Sequence, residues 1–500
     1  MLFNSYIFLF LFFPLCMLGY YFLKDKNVTA AKIWLIGFSL WFYGYFNIRY
    51  LCIMIFSILL NYGAYWLMVR AELPVTEGAS EKEKSNFFNK KTILITGVSA
   101  NLLLLFYFKY FDFFIENMNA VFGTSVALRN IVLPLGISFF TFQQISFLAD
   151  TYRGELNECS FVDYALFVSF FPQLIAGPIV THDEMLPQFK EIGTKRFDED
   201  NFCRGLFIFI LGMGKKVLIA DTFGVAVDAG YGLIEQLGSI DALLVMLFYT
   251  LQLYFDFSGY CDMAKGLGRM FNFELPINFN APYKSKSIDE FWERWHITLS
   301  RFLTQYLYIP LGGNRKGTLR TYINIMIVFS ISGLWHGADW TFILWGIMHG
   351  CAKVFYRFGK KAIDKIPGWI RWSVTFVFVN LTWVFFRADY FRQALQLLKR
   401  LIIGGGGFGH ADMISSFCDT SVIMTVTKHL LPQNAFTTVQ QIWLLLWFAA
   451  CTLICIKAPS SHEMIEKKNR SNKWFIYLGI LFFLSFIGLS QISKFIYFNF

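Results

Sequence analysis

Charge is scarce in this chain. Only 16% of its 500 residues are Asp, Glu, Lys or Arg, against about 25% in an ordinary soluble domain. That excludes a disordered chain and a coiled coil, both of which are rich in charge. Long polar stretches are also missing. The largest, Ala71–Lys91 and Thr181–Asn201, are short and mixed in charge, so they read as loops rather than soluble modules. The nine cysteines are odd in number and form no C-x-x-C pair, which excludes a disulfide scaffold and a zinc ribbon. Most lie in apolar runs and read as small buried hydrophobes. There is no G-x-x-x-x-G-K-[ST] loop for ATP, no G-x-S-x-G elbow and no H-E-x-x-H pair. No internal repeat is visible, so nothing supports the paired halves of many transporters.

What fills the chain is apolar. Hydrophobic residues make up 56% and aromatics 20%, with 60 Phe, and the mean hydropathy is +0.48. So many large apolar side chains cannot all hide in a water-soluble core. The solvent of this protein is largely lipid. A span needs roughly 20 mostly apolar residues to cross about 30 Å of hydrocarbon. Candidate spans are Leu2–Leu23, Ile33–Phe46, Leu51–Val69, Thr92–Phe114, Asn130–Ala149, Phe161–Val180, Phe202–Ala220, Ala242–Cys261, Tyr322–Leu334, Trp340–Phe355, Ile370–Phe386, Gln441–Ile456 and Trp474–Ile492. Those with Pro and Gly, at Leu133–Gly136 and Phe171–Pro178, read as re-entrant, because broken backbone at membrane depth must be buried in protein or line a cavity. The first span is too long for a signal peptide and lacks a basic start and a small-residue cleavage site. The expected fold class is therefore an all-α polytopic membrane protein. It divides into N-terminal spans (1–130), a core (131–390) and a C-terminal outer loop with the last spans (391–500).

The net charge is 44 − 34 = +10. The basic residues are scattered through short loops, which argues for cytoplasmic anchoring rather than a nucleic-acid face. Arg357–Arg371, Lys457–Lys473 and the cluster Arg315, Lys316 and Arg320 are expected in the cytoplasm. Gly404–Gln440 and the C-terminus then fall outside. Between Pro282 and Pro310, Ser287 and Glu290 fit a capping box. Phe291, Trp295, Phe302 and Tyr306 follow at helical spacing, with Glu293, His296, Ser300 and Thr304 on another face. Trp292 and Trp295 with Arg294 and Arg301 suggest an interfacial amphipathic helix.

Chemistry points first to His336, in SGLWHGADW (Ser332–Trp340). An ionisable residue at membrane depth is costly and faces a cavity or a partner. Gly333 and Gly337 leave room for a substrate beside the ring. With an ordinary pKa near 6.5, a buried imidazole stays neutral and can take a proton from an alcohol. A core histidine bonded between helices is the alternative. His296, in RWHITLS (Arg294–Ser300), taken alone reads as an interfacial polar residue. His349, with Gly346 and Gly350 on its helix, reads as a packing residue. His182, His410, His429 and His462 carry no signal. Asp256, Ser258 and Asp262 in YFDFSGYCD (Tyr254–Asp262) and Gln173 in FPQLIAGP (Phe171–Pro178) must pair or meet water. Each reads either as a bond that closes a kink or as a substrate contact. Arg153, after an apolar run, reads the same way.

Several blocks together resemble the membrane-bound O-acyltransferase family. They are FPQLIAGPIV (Phe171–Val180), YFDFSGYCDMAKGLGRMFNFELPINFNAPY (Tyr254–Tyr283), SIDEFWERWHITLSRFLTQYLYIPLGGNRKG (Ser287–Gly317), SGLWHGADWTFILWGIMHG (Ser332–Gly350) and the terminal FIYFNF (Phe495–Phe500). The likeness runs from about Pro134 to the C-terminus. It is nearest the bacterial branch that includes alginate O-acetylation proteins. The resemblance implies a helical funnel and tunnel through the bilayer, His336 as the catalytic histidine and His296 as a second functional position. It also implies a cytosolic thioester donor, acetyl-CoA, and a hydroxyl acceptor reached from outside. An extracytoplasmic acetyltransferase partner would then esterify a polysaccharide. On that reading Arg315 and Lys316 of GGNRKG (Gly312–Gly317) are expected near the inner mouth, where they attract CoA phosphates unless they are only cytoplasmic anchors, and Arg315 and Asn314 are substrate-binding candidates. Asp256, Ser258 and Gln173 are further substrate-binding candidates. No metal, no permanently bound cofactor and no nucleic acid are expected. The partners are the bilayer, the outer transferase and its glycan, and the location is the inner membrane. Direct transfer and a covalent acetyl-histidine both remain open, as do D-alanyl transfer or acylation of a lipid or protein by the same fold, and a transporter or flippase.

Overall fold

The computed structural model describes residues 1–71, 89–156, 158–406, 408–419, 432–466, 472–489 and 496. Most of Ala71–Lys91, part of Gly404–Gln440, His429, Lys467, Lys468, Arg470 and the terminal FIYFNF apart from Ile496 lie outside the described residues. The described residues contain helices and no strands. They divide into two compact units, Met1–Gly205 with Leu267–Pro276, and Leu206–Gly266 with Ile277–Phe500.

The first unit holds α1 (Phe13–Lys24), α2 (Val28–Gly44), α3 (Ile48–Arg70), α4 (Lys90–Leu105), α5 (Phe111–Phe122), α6 (Ile137–Arg153), α7 (Phe161–Ser169), the single turn α8 (Phe171–Leu174), α9 (His182–Lys190) and the start of α10 (Glu199–Gly214). The side chains of Asn27 and Asn47 cap α2 and α3, accepting from Ala30 and Arg49. Polar residues join helices here. Gln144 Oε1 of α6 accepts from Ser57 Oγ at 2.7 Å and Asn61 Nδ2 at 2.8 Å, and Asn101 Nδ2 of α4 donates to Asn61 Oδ1 at 2.6 Å. Such bonds hold helices together where lipid offers no hydrophobic drive.

Two expected spans are interrupted where Pro and Gly fall. The helix expected from Asn130 begins only at Ile137, because Pro134 and Gly136 bend the chain. Gly136 has φ 69°, and a Cβ there would lie 2.7 Å from the Leu174 carbonyl oxygen, so only glycine fits. The segment Phe161–Val180 breaks after Ser169, makes one turn at α8 and then runs without helix to Thr181. Its residues from Asp163 onward are buried, as irregular backbone at depth must be.

The second unit takes in the rest of α10, α11 (Asp221–Gly232), most of α12 (Ser239–Met270), α13 (Ile288–Arg294), α14 (Ile297–Leu303), α15 (Thr318–His336), α16 (Trp340–Ile363), α17 (Gly368–Arg387), α18 (Phe391–Ile403), α19 (Ala411–Asp419), α20 (Gln433–Lys457), α21 (Ser461–Glu466) and α22 (Asn472–Gly488). Five helical segments among the described residues are long and apolar enough to cross a bilayer. They are Ile48–Arg70, Lys90–Phe122, Ser239–Met270, Gly368–Arg387 and Phe436–Lys457. Their outward faces carry large apolar side chains such as Phe56 and Leu446, which lipid tolerates and water does not. The chain is a multi-pass membrane protein. α12 differs from the other four, since most of it is buried within the protein. It forms the wall against which the aromatic core of this unit packs.

Candidate active site

The capped segment after Pro282 does not form one helix. Ser287 Oγ accepts from the Glu290 N–H at 3.2 Å and starts α13, but the expected capping box is incomplete, since Glu290 Oε2 accepts from the Lys286 N–H at 2.8 Å rather than from that of Ser287. The helical run then stops, because His296 adopts φ 46° and ψ 53°. That left-handed conformation costs a non-glycine residue roughly 1 kcal/mol or more. The stretch after Pro276 supplies the compensation. The Asn280 N–H donates to the Arg294 carbonyl at 2.9 Å, and the Ile297 N–H donates to the Asn278 carbonyl at 3.0 Å. The Thr298 N–H donates to Asn278 Oδ1 at 3.2 Å. Backbone groups freed by the break are thus taken up. Trp292 and Trp295 are buried rather than presented to an interface, Trp292 against Trp345 and His349 and Trp295 against Trp383 and Phe279.

The same asparagine meets the imidazole. His296 Nδ1 lies 3.2 Å from Asn278 Oδ1. Asn278 Oδ1 also accepts from Thr298 Oγ1 at 2.9 Å, and its Nδ2 donates to Cys261 Sγ at 3.3 Å. Phe257 packs on the His296 ring at 4.8 Å between centroids. His296 is 0% exposed, and its Nε2 has no hydrogen-bond partner among the described residues. Burial pushes its pKa down from 6.5 to about 3, so the ring is neutral.

His336 is the last residue of α15. α15 and α16 cross backbone against backbone at two glycines. A Cβ on Gly333 would stand 2.3 Å from the Phe342 carbonyl oxygen, and one on Gly346 would stand 2.3 Å from that of Phe329. This crossing brings His336 edge-on to Trp345 of α16, with centroids 5.2 Å apart at 89°. Trp335 at 4.9 Å and Phe386 at 5.2 Å complete the wall. The His296 and His336 rings are 6.2 Å apart, and His336 is 3% exposed. Two residues 40 apart in sequence therefore share one buried corner.

The other candidates lie elsewhere. Asn314 and Arg315 are exposed in the turn before α15. His336 is at the far end of that 19-residue helix, about 27 Å along its axis. Asp256 turns away from the histidines. Its Oδ1 lies 2.7 Å from Lys216 Nζ, which also pairs with Asp221 at 2.6 Å, and its Oδ2 accepts from the Ile496 N–H at 3.1 Å. Its neighbours on α12, Phe257 and Cys261, face the site instead. Ser258 is buried, with no partner for Oγ among the described residues. Asp262 pairs with Lys215 at 2.7 Å. Gln173 lies in the first unit, where its Nε2 donates to the Phe167 carbonyl at 2.7 Å and closes the broken end of α7. Arg153 pairs with Asp150 at 3.2 Å. Among the described residues no group of three or more His, Cys, Asp or Glu side chains could hold a metal.

His349 packs as its glycines suggest. Trp292 Nε1 donates to its Nδ1 at 3.2 Å, and Nε2 lies 3.0 Å from Thr382 Oγ1. Sequence reasoning missed Asn278 and Trp345. Asn278 and Asn280 alternate in a segment fenced by Pro276 and Pro282. In an extended chain that spacing puts both on one side, which is a usable signal. Trp345 lies between Thr341 and His349 on one stripe of α16 (i, i+4, i+8). It is fully buried, and its Nε1 has no acceptor among the described residues.

The chain has known relatives. A profile of the MBOAT, membrane-bound O-acyltransferase family, matches residues 149–389. The peptidoglycan O-acetyltransferase of Helicobacter pylori is 42% identical over 532 aligned positions, covering 100% of this chain and 98% of that protein. The "Probable alginate O-acetylase AlgI" of Pseudomonas aeruginosa is 39% identical, over 81% of this chain and 75% of its own length. The teichoic acid D-alanyltransferase of Bacillus subtilis is 28% identical, over 53% of this chain and 71% of its own. On the end-to-end likeness to the first of these, the chain belongs to the membrane-bound O-acyltransferase family and is itself a membrane O-acyltransferase.

Proposed function

We propose that this enzyme takes an acetyl group from acetyl-CoA at the cytoplasmic face of the inner membrane and passes it through its helical core for O-acetylation of an envelope glycan. An extracytoplasmic acetyltransferase partner completes the delivery. Peptidoglycan is the favoured acceptor, because the alignment with the Helicobacter pylori enzyme runs the full length of the chain while the alginate relative covers 81% of it. The observation that carries the reading is the pair of buried imidazoles with ring centroids 6.2 Å apart.

In this scheme His336 removes the proton from the acceptor hydroxyl as its oxygen bonds to the thioester carbonyl carbon. The C–S bond then breaks, and the thiolate leaves with the proton held by the imidazolium. His296 orients the acceptor. Trp345 Nε1–H, a buried donor on a ring 5.2 Å from His336, serves the carbonyl oxygen as it gains charge. Arg315 and Lys316, at the other end of α15, attract the phosphates of the carrier, and Asn314 beside them offers an amide to it. Asp256 and Gln173 support the fold around the path, and Ser258 leaves a hydroxyl for substrate.

The test is a His336→Ala strain. General-base catalysis contributes about 10²–10⁴-fold, so mass spectrometry of its muropeptides should show O-acetyl groups lost while the protein still accumulates in the membrane. Normal acetylation would reject the assignment. Loss of acetyl from another glycan, with peptidoglycan unchanged, would move the acceptor.

A further inference from the structure

We infer that Asn278 is a positioning residue for this site, fixing His296 as the Nδ1–H tautomer so that Nε2 meets the substrate as a hydrogen-bond acceptor only. The part played by Nε2 rests on the acyl-transfer reading above, whereas the tautomer follows from the hydrogen bonds themselves.

One group here has no choice. The backbone N–H of Thr298 can only donate, and the asparagine atom 3.2 Å from it must be the oxygen. The opposite orientation would set the side-chain NH₂ against that N–H. The amide nitrogen then points at Cys261 Sγ, a weak acceptor, at 3.3 Å. An amide oxygen carries no hydrogen. A bare His296 Nδ1 at 3.2 Å from it would set two lone pairs against each other, so the protonated Nδ1 is favoured and shares the oxygen with the two Thr298 donors. A neutral imidazole has a single N–H, so Nε2 is left as a bare lone pair. It is fully buried and without a partner among the described residues.

The surroundings make this arrangement specific. Left to itself a histidine side chain favours the Nε2–H form. Here Phe257 and Phe279 flank the ring at 4.8 and 6.5 Å between centroids, and Trp335 and His336 lie beyond it at 6.1 and 6.2 Å. The left-handed backbone at His296 is held by bonds to Asn278 and Asn280. One short segment therefore sets the position of the imidazole and its proton together.

This decides between two duties open to a second histidine beside His336, polarising the thioester carbonyl or orienting the acceptor. A lone pair cannot donate to the thioester carbonyl oxygen. It can accept an O–H or N–H of the acceptor molecule. The molecule that takes the acetyl group from this site carries such groups beside the hydroxyl that reacts. His296 then holds the acceptor by a neighbouring group while His336 takes the proton of the reacting hydroxyl.

The test is nitrogen NMR of the purified protein labelled with ¹⁵N-histidine, with the His296 signals assigned by their loss in His296→Gln. Protonated and bare ring nitrogens resonate in separate bands. The wild-type protein should show Nδ1 protonated and Nε2 bare. Asn278→Ala should move the proton to Nε2. It should also lower kcat by about 10²-fold or more, as loss of a tautomer-fixing group does elsewhere, and leave the KM for acetyl-CoA in place. A wild-type Nε2–H signal overturns the inference on its own, even if Asn278→Ala does not fold. An unchanged tautomer in that variant also overturns it. Transfer that survives His336→Ala would instead defeat the acyl-transfer reading and leave the tautomer standing.

Discussion

His349 and His296 are both fully buried imidazoles in the second unit, yet their nitrogens are treated in opposite ways. At His349 each nitrogen has a neutral partner. Trp292 Nε1 donates to Nδ1, and Thr382, whose hydroxyl donates to the Val379 carbonyl, accepts from Nε2. At His296 one nitrogen is held and the other is open. A buried polar atom left without a partner costs about 1–3 kcal/mol. A fold that closes one histidine so fully and leaves the next one open marks the second for a ligand. Neighbouring structure makes the same division. His349 belongs to a regular helix, whereas His296 sits on strained backbone at a break.

The largest expected effect sets activity against stability at the two positions. His336→Gln and His296→Asn, whose amides keep much of the ring's volume and a polar contact, should each lower acetyl transfer by about 10²-fold or more, with little change in thermal stability. His349→Ala should do the reverse. It strands the Trp292 N–H and leaves a cavity, which costs about 2–4 kcal/mol. Transfer per folded molecule should stay within a few-fold of wild type. Turnover and melting temperature, measured on the same detergent-solubilised samples, decide the matter. An inactive but stable His349→Ala would dissolve the distinction.

Next in size is Trp345→Phe, which keeps a ring in the wall and removes only the N–H. Loss of one donor to a developing oxyanion costs about 10²-fold in kcat. The KM for acetyl-CoA should hardly move, because the interaction strengthens only in the transition state. A Phe variant with wild-type kcat would make Trp345 a packing residue, like the tryptophans that surround His349. Below it comes Gly333→Ala. The new Cβ meets the Phe342 carbonyl oxygen at 2.3 Å, so α15 and α16 must separate. Overpacking of this kind costs about 1–3 kcal/mol, and the shift of His336 should take about tenfold from kcat.

An all-helical membrane fold and the burial of His336 are legible in the sequence for simple reasons. Apolar length marks a crossing, and a titratable ring between two glycines in an apolar run must face a cavity or a partner. The break at His296 is not legible. The pattern from Phe291 to Tyr306 is helical without interruption, and the interruption comes from Asn278, 18 residues upstream in an extended segment. Asp256 is legible as a carboxylate that needs a partner, but Lys216, 40 residues away, can be identified only once the fold brings them to 2.7 Å. Local rules predict what a residue requires. They do not predict which distant residue supplies it.

The smallest effect concerns the two ends of α15. If the centre of the site handles bonds and its mouth handles charge, Arg315→Ala should leave kcat unchanged and raise the KM for acetyl-CoA by less than about fivefold, the range of an exposed ionic contact. The rise should shrink as salt is added, because exposed charges are screened over about 8–10 Å at physiological ionic strength. A short acetyl thioester without the nucleotide should show no difference between Arg315→Ala and wild type. Equal KM for both enzymes with acetyl-CoA at low salt would leave Arg315 as a membrane anchor alone. A fall in kcat would mean that the exposed turn and His336 are coupled along the helix, against the separation of about 27 Å that its length imposes.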